Sequence, residues 1–97
     1  MKKIFFTITG TNYRYGMDFM KRGMKVRLVK EPDNKYDNEA IKVMIKGVGH
    51  VGYVANSTST RLGESMSAGR IYDKIGKKAT GRVVHKLPTG VICVLDR

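Results

Sequence analysis

Residues 30–43 read Lys30-Glu31-Pro32-Asp33-Asn34-Lys35-Tyr36-Asp37-Asn38-Glu39-Ala40-Ile41-Lys42-Val43 and link two segments in which apolar and charged residues alternate. Pro32 fixes its own φ and pushes the preceding residue toward extended geometry, and the Asp-Asn pairs at 33–34 and 37–38 are typical of turns. Because binding residues lie disproportionately on loops carried by a rigid scaffold, the first candidates for function are Asn34, Tyr36 and Asp37. The alternative is that these residues only shape the loop, with Asp37 accepting backbone hydrogen bonds and Tyr36 lying at the rim of the core.

The alternation on both sides of this loop predicts strands over 24–30 and 41–45. Further strands are expected over 3–9, over 50–54 after a hairpin at 47–49, and in a last hairpin over 77–86 and 91–95. Asn56 or Ser57 is a suitable N-cap for a helix that runs through Met66 and ends at Gly69, and Phe5, Phe6 and Phe19 are expected in the core. The predicted fold is mainly β (β-rich α+β), a small OB/SH3-like barrel of five or six strands with one or two short helices.

Length and charge restrict the class of protein. The 97 residues fit a single domain over 1–97, too small for a bilobed catalytic cleft. Nineteen Lys and Arg against eight Asp and Glu give a net charge of +11, which favours a polyanionic partner, with nucleic acid first and an anionic membrane surface second. The lone Cys93 lies in an apolar alternation and is expected to be a small buried hydrophobe, and it forms no paired metal-ligand spacing with the two histidines. The apolar run at residues 4–6 is too short for a signal peptide or a membrane span, so a cytoplasmic protein is expected.

The strand pattern also predicts which cations share the outer surface. Once the apolar residues are assigned to the core, outward positions fall to Lys25, Arg27, Lys42, Lys46, Arg82 and Lys86. Single-strand binders combine such a basic surface with aromatic rings on which bases stack, and the available rings are Tyr13, Tyr15, Tyr36 and Tyr53. The alternatives are a solvated sheet face for the cations and core or rim packing for the rings, and we expect a mainly structural role for Tyr53.

The motifs together resemble those of the HIRAN domain. They comprise a strand ending in Gly10, the Tyr13-Arg14-Tyr15-Gly16 patch, the string Glu31-Pro32-x-Asn34-x-Tyr36-Asp37-x-x-Ala40-Ile41-x-Val43, and Val51-Gly52-Tyr53-Val54. HIRAN domains occur attached to Swi/Snf-type DNA translocases and as small separate bacterial proteins. In the translocase-linked form the domain is a modified OB-like barrel that grips the 3′-hydroxyl end of single-stranded DNA.

This resemblance implies roles for residues of the present chain. Asp37 would accept a hydrogen bond from a terminal 3′-hydroxyl, and Tyr36 would stack on the terminal base or meet it edge-on. Asn34 would contact the backbone or a base edge, and either Arg14, between Tyr13 and Tyr15, or a lysine would hold the adjacent phosphate. The implied protein is a monomeric, non-enzymatic binder of single-stranded DNA in repair or replication, acting beside a helicase or other DNA-processing protein in trans, with no cofactor, metal or membrane partner.

Two other functions stay open. A protein-interaction or adaptor domain without DNA binding is one, because OB-like barrels also bind proteins and fold alone does not decide function. A metal-dependent nuclease is the other, since Glu31, Asp33, Asp37 and Glu39 are carboxylates of the kind that hold Mg²⁺. No nucleophile-activating Lys or His accompanies these carboxylates at a recognisable spacing, so an enzyme is not expected.

Overall fold

A computed structural model describes residues 3–10, 19–57 and 60–96 of the chain. These residues form a closed antiparallel barrel whose strands neighbour one another in the order β1-β4-β3-β2-β5-β6. The strands are β1 (Phe5–Thr9), β2 (Lys25–Lys30), β3 (Ile41–Ile45), β4 (Gly49–Val54), β5 (Lys78–Leu87) and β6 (Gly90–Leu95). The barrel of five or six strands predicted from the apolar alternation is confirmed.

The alternation forms a barrel because each strand directs one face inward. In β2, Val26 and Leu28 are fully buried while Lys25 and Arg27 are exposed, and β3 shows the same period with Ile41 and Val43 inside. Phe6, Ile8, Val51, Val91 and Cys93 complete the centre of the core. Burial raises the pKa of the Cys93 thiol to about 12, so this cysteine is a buried apolar group, as expected.

Phe5 corrects one expectation about the core. The residue sits one position before the fully buried Phe6, so its side chain points outward, and 38% of its surface is exposed. Phe19 is partly buried against the core.

The prediction of a helix through Met66 with its N-cap at Asn56 or Ser57 is wrong, because the described residues 60–66 are not helical. The helix in the described residues is α1 (Ala68–Tyr72), which buries Ala68 and Ile71, and Gly69 lies inside it. Residues 60–66 pack on β1 instead, because β1 offers partners for their backbone groups. Leu62 N–H donates to Thr7 Oγ1 (3.1 Å) and Met66 N–H donates to Phe5 O (2.7 Å). The φ of +56° at Gly63 also interrupts a right-handed helix.

A buried hydroxyl pair fastens this segment to the barrel. Thr7 Oγ1 lies 2.7 Å from Ser65 Oγ, and both residues are buried. The pair satisfies two polar groups away from water, which fixes the path of the chain into α1. No helix among the described residues is long and apolar enough to cross a membrane.

Candidate nucleic-acid interface

The loop between β2 and β3 is closed by two consecutive turns, as the sequence predicts. Asn34 N–H donates to Glu31 O (3.0 Å) and Ala40 N–H donates to Asp37 O (3.1 Å). Glu31 N–H also donates to Ala40 O (2.9 Å), which joins the two ends of the loop. Tyr36 therefore stands at the tip of a loop with a fixed base.

Asn34 determines the backbone geometry at the tip. Its Oδ1 accepts hydrogen bonds from the N–H groups of Tyr36 (2.9 Å) and Asp37 (3.0 Å). Its Nδ2 donates to Glu31 Oε1 at 2.7 Å. Both acceptor positions of the amide oxygen are thus occupied, and one N–H remains for another partner. Asn34 serves first to position the two residues that follow it.

Glu31 joins the loop to the outer face of the barrel. Its Oε1 also accepts a hydrogen bond from the Tyr53 hydroxyl (2.9 Å), and its Oε2 lies 3.9 Å from Lys42 Nζ. The Asn34 hydrogen bond, followed by that of Tyr53 and the charges of Lys42 and His50, lowers the pKa of Glu31 below its ordinary value of 4.5, while burial opposes the shift. Glu31 is consequently ionised at neutral pH and holds two side chains of the loop region.

Asp37 accepts two hydrogen bonds, one on each carboxylate oxygen. Glu39 N–H donates to Oδ1 (2.9 Å) and Asn56 Nδ2 donates to Oδ2 (2.9 Å). The first bond is the backbone contact expected if Asp37 shapes the loop. A carboxylate has about four acceptor positions, so two remain for a ligand. The shaping of the loop and the binding of a hydroxyl are therefore compatible at this residue.

Tyr36 is the most exposed large apolar side chain of the described residues, at 89% of its surface. The ring does not lie at the rim of the core, which contradicts the packing alternative for this residue. Lys35 Nζ lies 5.9 Å from the ring centroid. The ring borders an open cleft of about 420 Å³, whose other walls include Asp37, Ala40 and Tyr53. An exposed aromatic side chain beside a cleft is available to stack on a planar ligand.

Tyr53 is half-buried and lines the same cleft. Besides its hydrogen bond to Glu31, its ring meets that of His50 edge-on with centroids 4.8 Å apart. These contacts support the mainly structural role predicted for Tyr53.

The predicted cations do not all form one surface. Lys25 and Arg82 are direct cross-strand partners, Arg27 lies two positions along β2, and Lys42 lies on the adjacent strand β3. Lys46 is exposed in the turn after β3. Lys86 lies where β5 pairs with β6 beyond the end of β2, so it is separate from the group. Arg82 lies 3.9 Å from Asp96.

Several residues proposed from the sequence lie outside the described part of the chain, namely Tyr13, Arg14 and Tyr15. The carboxylates considered for a nuclease include Glu31, which is held by Asn34, Tyr53 and Lys42. Within residues 3–10, 19–57 and 60–96, no group of three or more His, Cys, Asp or Glu side chains is placed to hold a metal ion.

Sequence reasoning missed the role of Asn56. Its Oδ1 accepts a hydrogen bond from Gly69 N–H (2.8 Å), the second residue of α1, while its Nδ2 holds Asp37. The side chain does bond an N–H group in the first turn of a helix, but the N-cap position is Ser67, eleven positions after Asn56 and ten after Ser57, the two N-caps that the sequence suggested. The pairing of β3 with β4, in which Lys42 opposes Tyr53, places Asn56 beside the loop, and a hydrogen bond from Ala68 N–H to Ala55 O (3.0 Å) places α1 beside Asn56.

A six-stranded barrel that presents an exposed ring and a carboxylate beside one open cleft, with cations on the outer face of the neighbouring strands, defines a small β-barrel binding domain. The family model of the HIRAN domain matches residues 1–87. The chain belongs to the HIRAN family.

A solved structure shows the same fold. The chain is similar to the crystal structure of the HIRAN domain of human HLTF, with a TM-score of 0.62 and 21% sequence identity, over 96% of this chain and 74% of that chain. The OB-like barrel expected from the resemblance is thereby confirmed. No curated protein matches the chain.

Proposed function

We propose that this chain is a monomeric, non-enzymatic module that binds single-stranded DNA and holds its 3′-hydroxyl end at the β2–β3 loop, in DNA repair or replication in the cytoplasm. The observation that carries the proposal is the pairing of an almost fully exposed ring, Tyr36, with the adjacent carboxylate of Asp37 on a loop with a fixed base. The repair or replication role, and a helicase or other DNA-processing protein in trans, rest on the family alone.

Each loop residue has a distinct role in this proposal. Tyr36 stacks on the terminal base, an interaction of about 1–3 kcal/mol per base in single-strand binders. Asp37 accepts a hydrogen bond from the 3′-hydroxyl through one of its two remaining acceptor positions. Asn34 keeps both residues in place and has one N–H left for the ligand. Tyr13, Arg14 and Tyr15 contribute a further ring and a phosphate contact, as the family resemblance implies.

Cations on the outer face neutralise the phosphates. The residues proposed for this role are Lys25, Arg27, Lys42 and Lys46. A net charge of +11 adds a long-range attraction that speeds the encounter with any polyanion. The carboxylate of Asp37 would disfavour a continuing strand or a 3′-phosphate, so it gives the site a preference for free ends.

A titration of labelled oligonucleotides tests the proposed function. Single-stranded and duplex forms of one sequence are compared at two salt concentrations. We expect tighter binding of the single strand and a log–log salt dependence of about −0.7 per phosphate contacted. Binding that prefers duplex, or no salt-sensitive binding at all, contradicts the proposal.

One observation favours the protein-interaction alternative. The exposed Phe5 lies with Leu62, Met66 and Ile92 in an open groove of about 730 Å³ on another face of the barrel. Exposed apolar side chains rimmed by polar ones mark protein-interaction sites, and charged residues also line this groove, namely Lys3, Glu64, Arg70 and Lys74. If the titration shows no DNA binding and the chain purifies with a protein partner that Phe5→Ser releases, the adaptor function replaces the one proposed.

A further inference from the structure

A row of side chains begins at the loop cleft and runs across the outer face of the barrel. The register pairs Tyr53 of β4 with Lys42 of β3, Lys42 with Val29 of β2, and Val29 with Lys78 of β5. Directly opposed residues of antiparallel strands point to the same face. Three strand spacings of about 4.8 Å make the row roughly 14 Å long. One end of the row is the cleft beside Tyr36, and the other end is Lys78.

An open groove of about 790 Å³ lies along this row. Its positive charges come from Arg27, Lys42, Lys74 and Lys78, and its one carboxylate is Asp96. That carboxylate is already engaged, since Oδ2 accepts a hydrogen bond from Thr80 (2.8 Å) and Oδ1 lies 3.9 Å from Arg82. The electrostatic character of the groove is therefore strongly positive.

Most of the groove cations have no side-chain partner among the described residues. The side chains of Arg27, Lys74 and Lys78 make no hydrogen bond or ion pair there, and the Lys42–Glu31 pair is loose at 3.9 Å. The four groove cations outnumber the two carboxylates near them, Asp96 and Glu31, and an anionic ligand reduces the repulsion among the excess positive charges. Val29 and Met44 form an apolar stretch between them, against which a sugar or base can lie.

We propose that this groove is the track for the phosphodiester backbone of the same DNA strand, on the 5′ side of the terminal nucleotide held at Asp37. The proposal rests on the proposed function for the polarity of the strand. Two observations select a nucleic-acid strand as the occupant. The positive charges recur along the length of the groove, and the row of register partners leads from Lys42 in the groove directly to Tyr53 in the cleft. Lys74 and Lys78 thereby become DNA-binding residues, although neither belongs to the set that strand alternation predicts.

The test compares two oligonucleotide lengths and two pairs of substitutions. One oligonucleotide has about two nucleotides and reaches only the cleft, and the other has about eight, within the ~4–16-nucleotide site of single-strand-binding barrels. Lys74→Ala with Lys78→Ala removes two groove charges. Lys21→Ala with Arg22→Ala is the matched control, because it removes the same charge from exposed residues that do not line the groove. Thermal melting verifies that all variants remain folded.

The groove variant is expected to bind the short oligonucleotide like the unmodified protein. For the long one, it should bind several-fold more weakly, with a log–log salt slope shallower by about 1.4, because each single-strand phosphate contributes about 0.7. The control variant should keep the slope of the unmodified protein for both lengths. Replacing one linkage at a time by a neutral methylphosphonate should locate the groove phosphates at internal positions, 5′ of the terminal nucleotide.

Three results would overturn the track. An unchanged slope in the groove variant removes Lys74 and Lys78 from the DNA site while leaving the proposed end-binding function intact. Equal loss for both lengths, or in the control variant, shows general charge attraction. Failure of the unmodified protein to bind either oligonucleotide, with polyglutamate bound through Lys74 and Lys78 instead, overturns both proposals and assigns the groove to an acidic protein.

Discussion

Asn56 donates a hydrogen bond of 2.9 Å to Asp37, nineteen positions earlier in the chain, and with the other end of the same amide it accepts a hydrogen bond from Gly69 in α1. A single side chain thus connects the start of the helix with the carboxylate of the proposed end-binding site. The contact limits the freedom of the Asp37 side chain, and limited freedom in the free protein reduces the entropy lost on binding.

Asn56→Ala tests this connection. The variant loses the acceptor of Gly69 N–H in the first turn of α1 and leaves Asp37 without one partner, so the free energy of unfolding should fall by about 1 kcal/mol and the preference for a 3′-hydroxyl end should weaken. Asn38→Ala is the matched control, since Asn38 is exposed on the same loop, and it should change stability by less than about 0.5 kcal/mol. Denaturant unfolding and oligonucleotide titration measure the two effects. Equal changes in stability and in end preference for both variants would contradict the role of Asn56 in holding the Asp37 side chain.

Tyr36→Ala distinguishes a ring that stacks on a DNA base from a ring that packs against the protein. The ring is 89% exposed, so its removal should leave the melting temperature nearly unchanged while weakening single-strand binding by about 1–3 kcal/mol. Tyr36→Phe should retain most of the affinity, because the ring face remains. Tyr53→Ala should show the opposite pattern, since it removes a half-buried ring and the hydrogen bond to Glu31. A large loss of stability in Tyr36→Ala with normal DNA binding would assign Tyr36 a structural role.

At Gly81 the barrel wall has no room for a side chain. A Cβ there would lie 2.7 Å from Val94 O and 3.0 Å from the Phe6 ring. Gly81→Ala should lower the free energy of unfolding by about 1–3 kcal/mol. Gly76→Ala, where a Cβ meets nothing within 4 Å, should be nearly neutral. Thermal or denaturant unfolding compares the stabilities of the two variants. Equal stabilities would contradict the packing argument.

The loss of stability of the folded protein at acidic pH should depend in part on Glu31. Its pKa is lower in the folded protein than the ordinary 4.5, so its ionised form stabilises the fold at higher pH, and this contribution is lost as the pH falls through the folded-state pKa. The difference in melting temperature between the unmodified protein and Glu31→Gln should therefore be constant near neutrality and shrink well below pH 4.5. A difference that does not change throughout the acidic range would mean that the charge of Glu31 does not stabilise the loop.

The sequence predicts the barrel and the loop but not the path between β4 and α1. Strand faces follow directly from the alternation, and the loop follows from Pro32 and its two Asp-Asn pairs, because both depend on neighbouring residues. The segment before α1 depends on Thr7 and Phe5, whose backbone and hydroxyl groups lie more than fifty positions away and replace helical hydrogen bonds. Asn56 and Lys74 enter the site through contacts between distant segments that no local pattern encodes, since Asn56 bonds Gly69 of α1 and Lys74 lines a groove with residues of β2, β3 and β5.

The preference between a 3′-hydroxyl and a 3′-phosphate tests the central claim most directly. Two oligonucleotides that differ only in this group are titrated against the unmodified protein and Asp37→Asn, and a pair that differs only at the 5′ end serves as the control. If Asp37 binds the 3′-hydroxyl, the hydroxyl-ended strand binds more tightly although it carries less charge, and the 5′ pair shows no such preference. Asp37→Asn then narrows or inverts the difference in affinity between the two 3′ ends, since the amide keeps an acceptor without the repulsion. Equal binding of the two 3′ ends, or tighter binding of the phosphate, which general attraction to a +11 protein predicts, would contradict it.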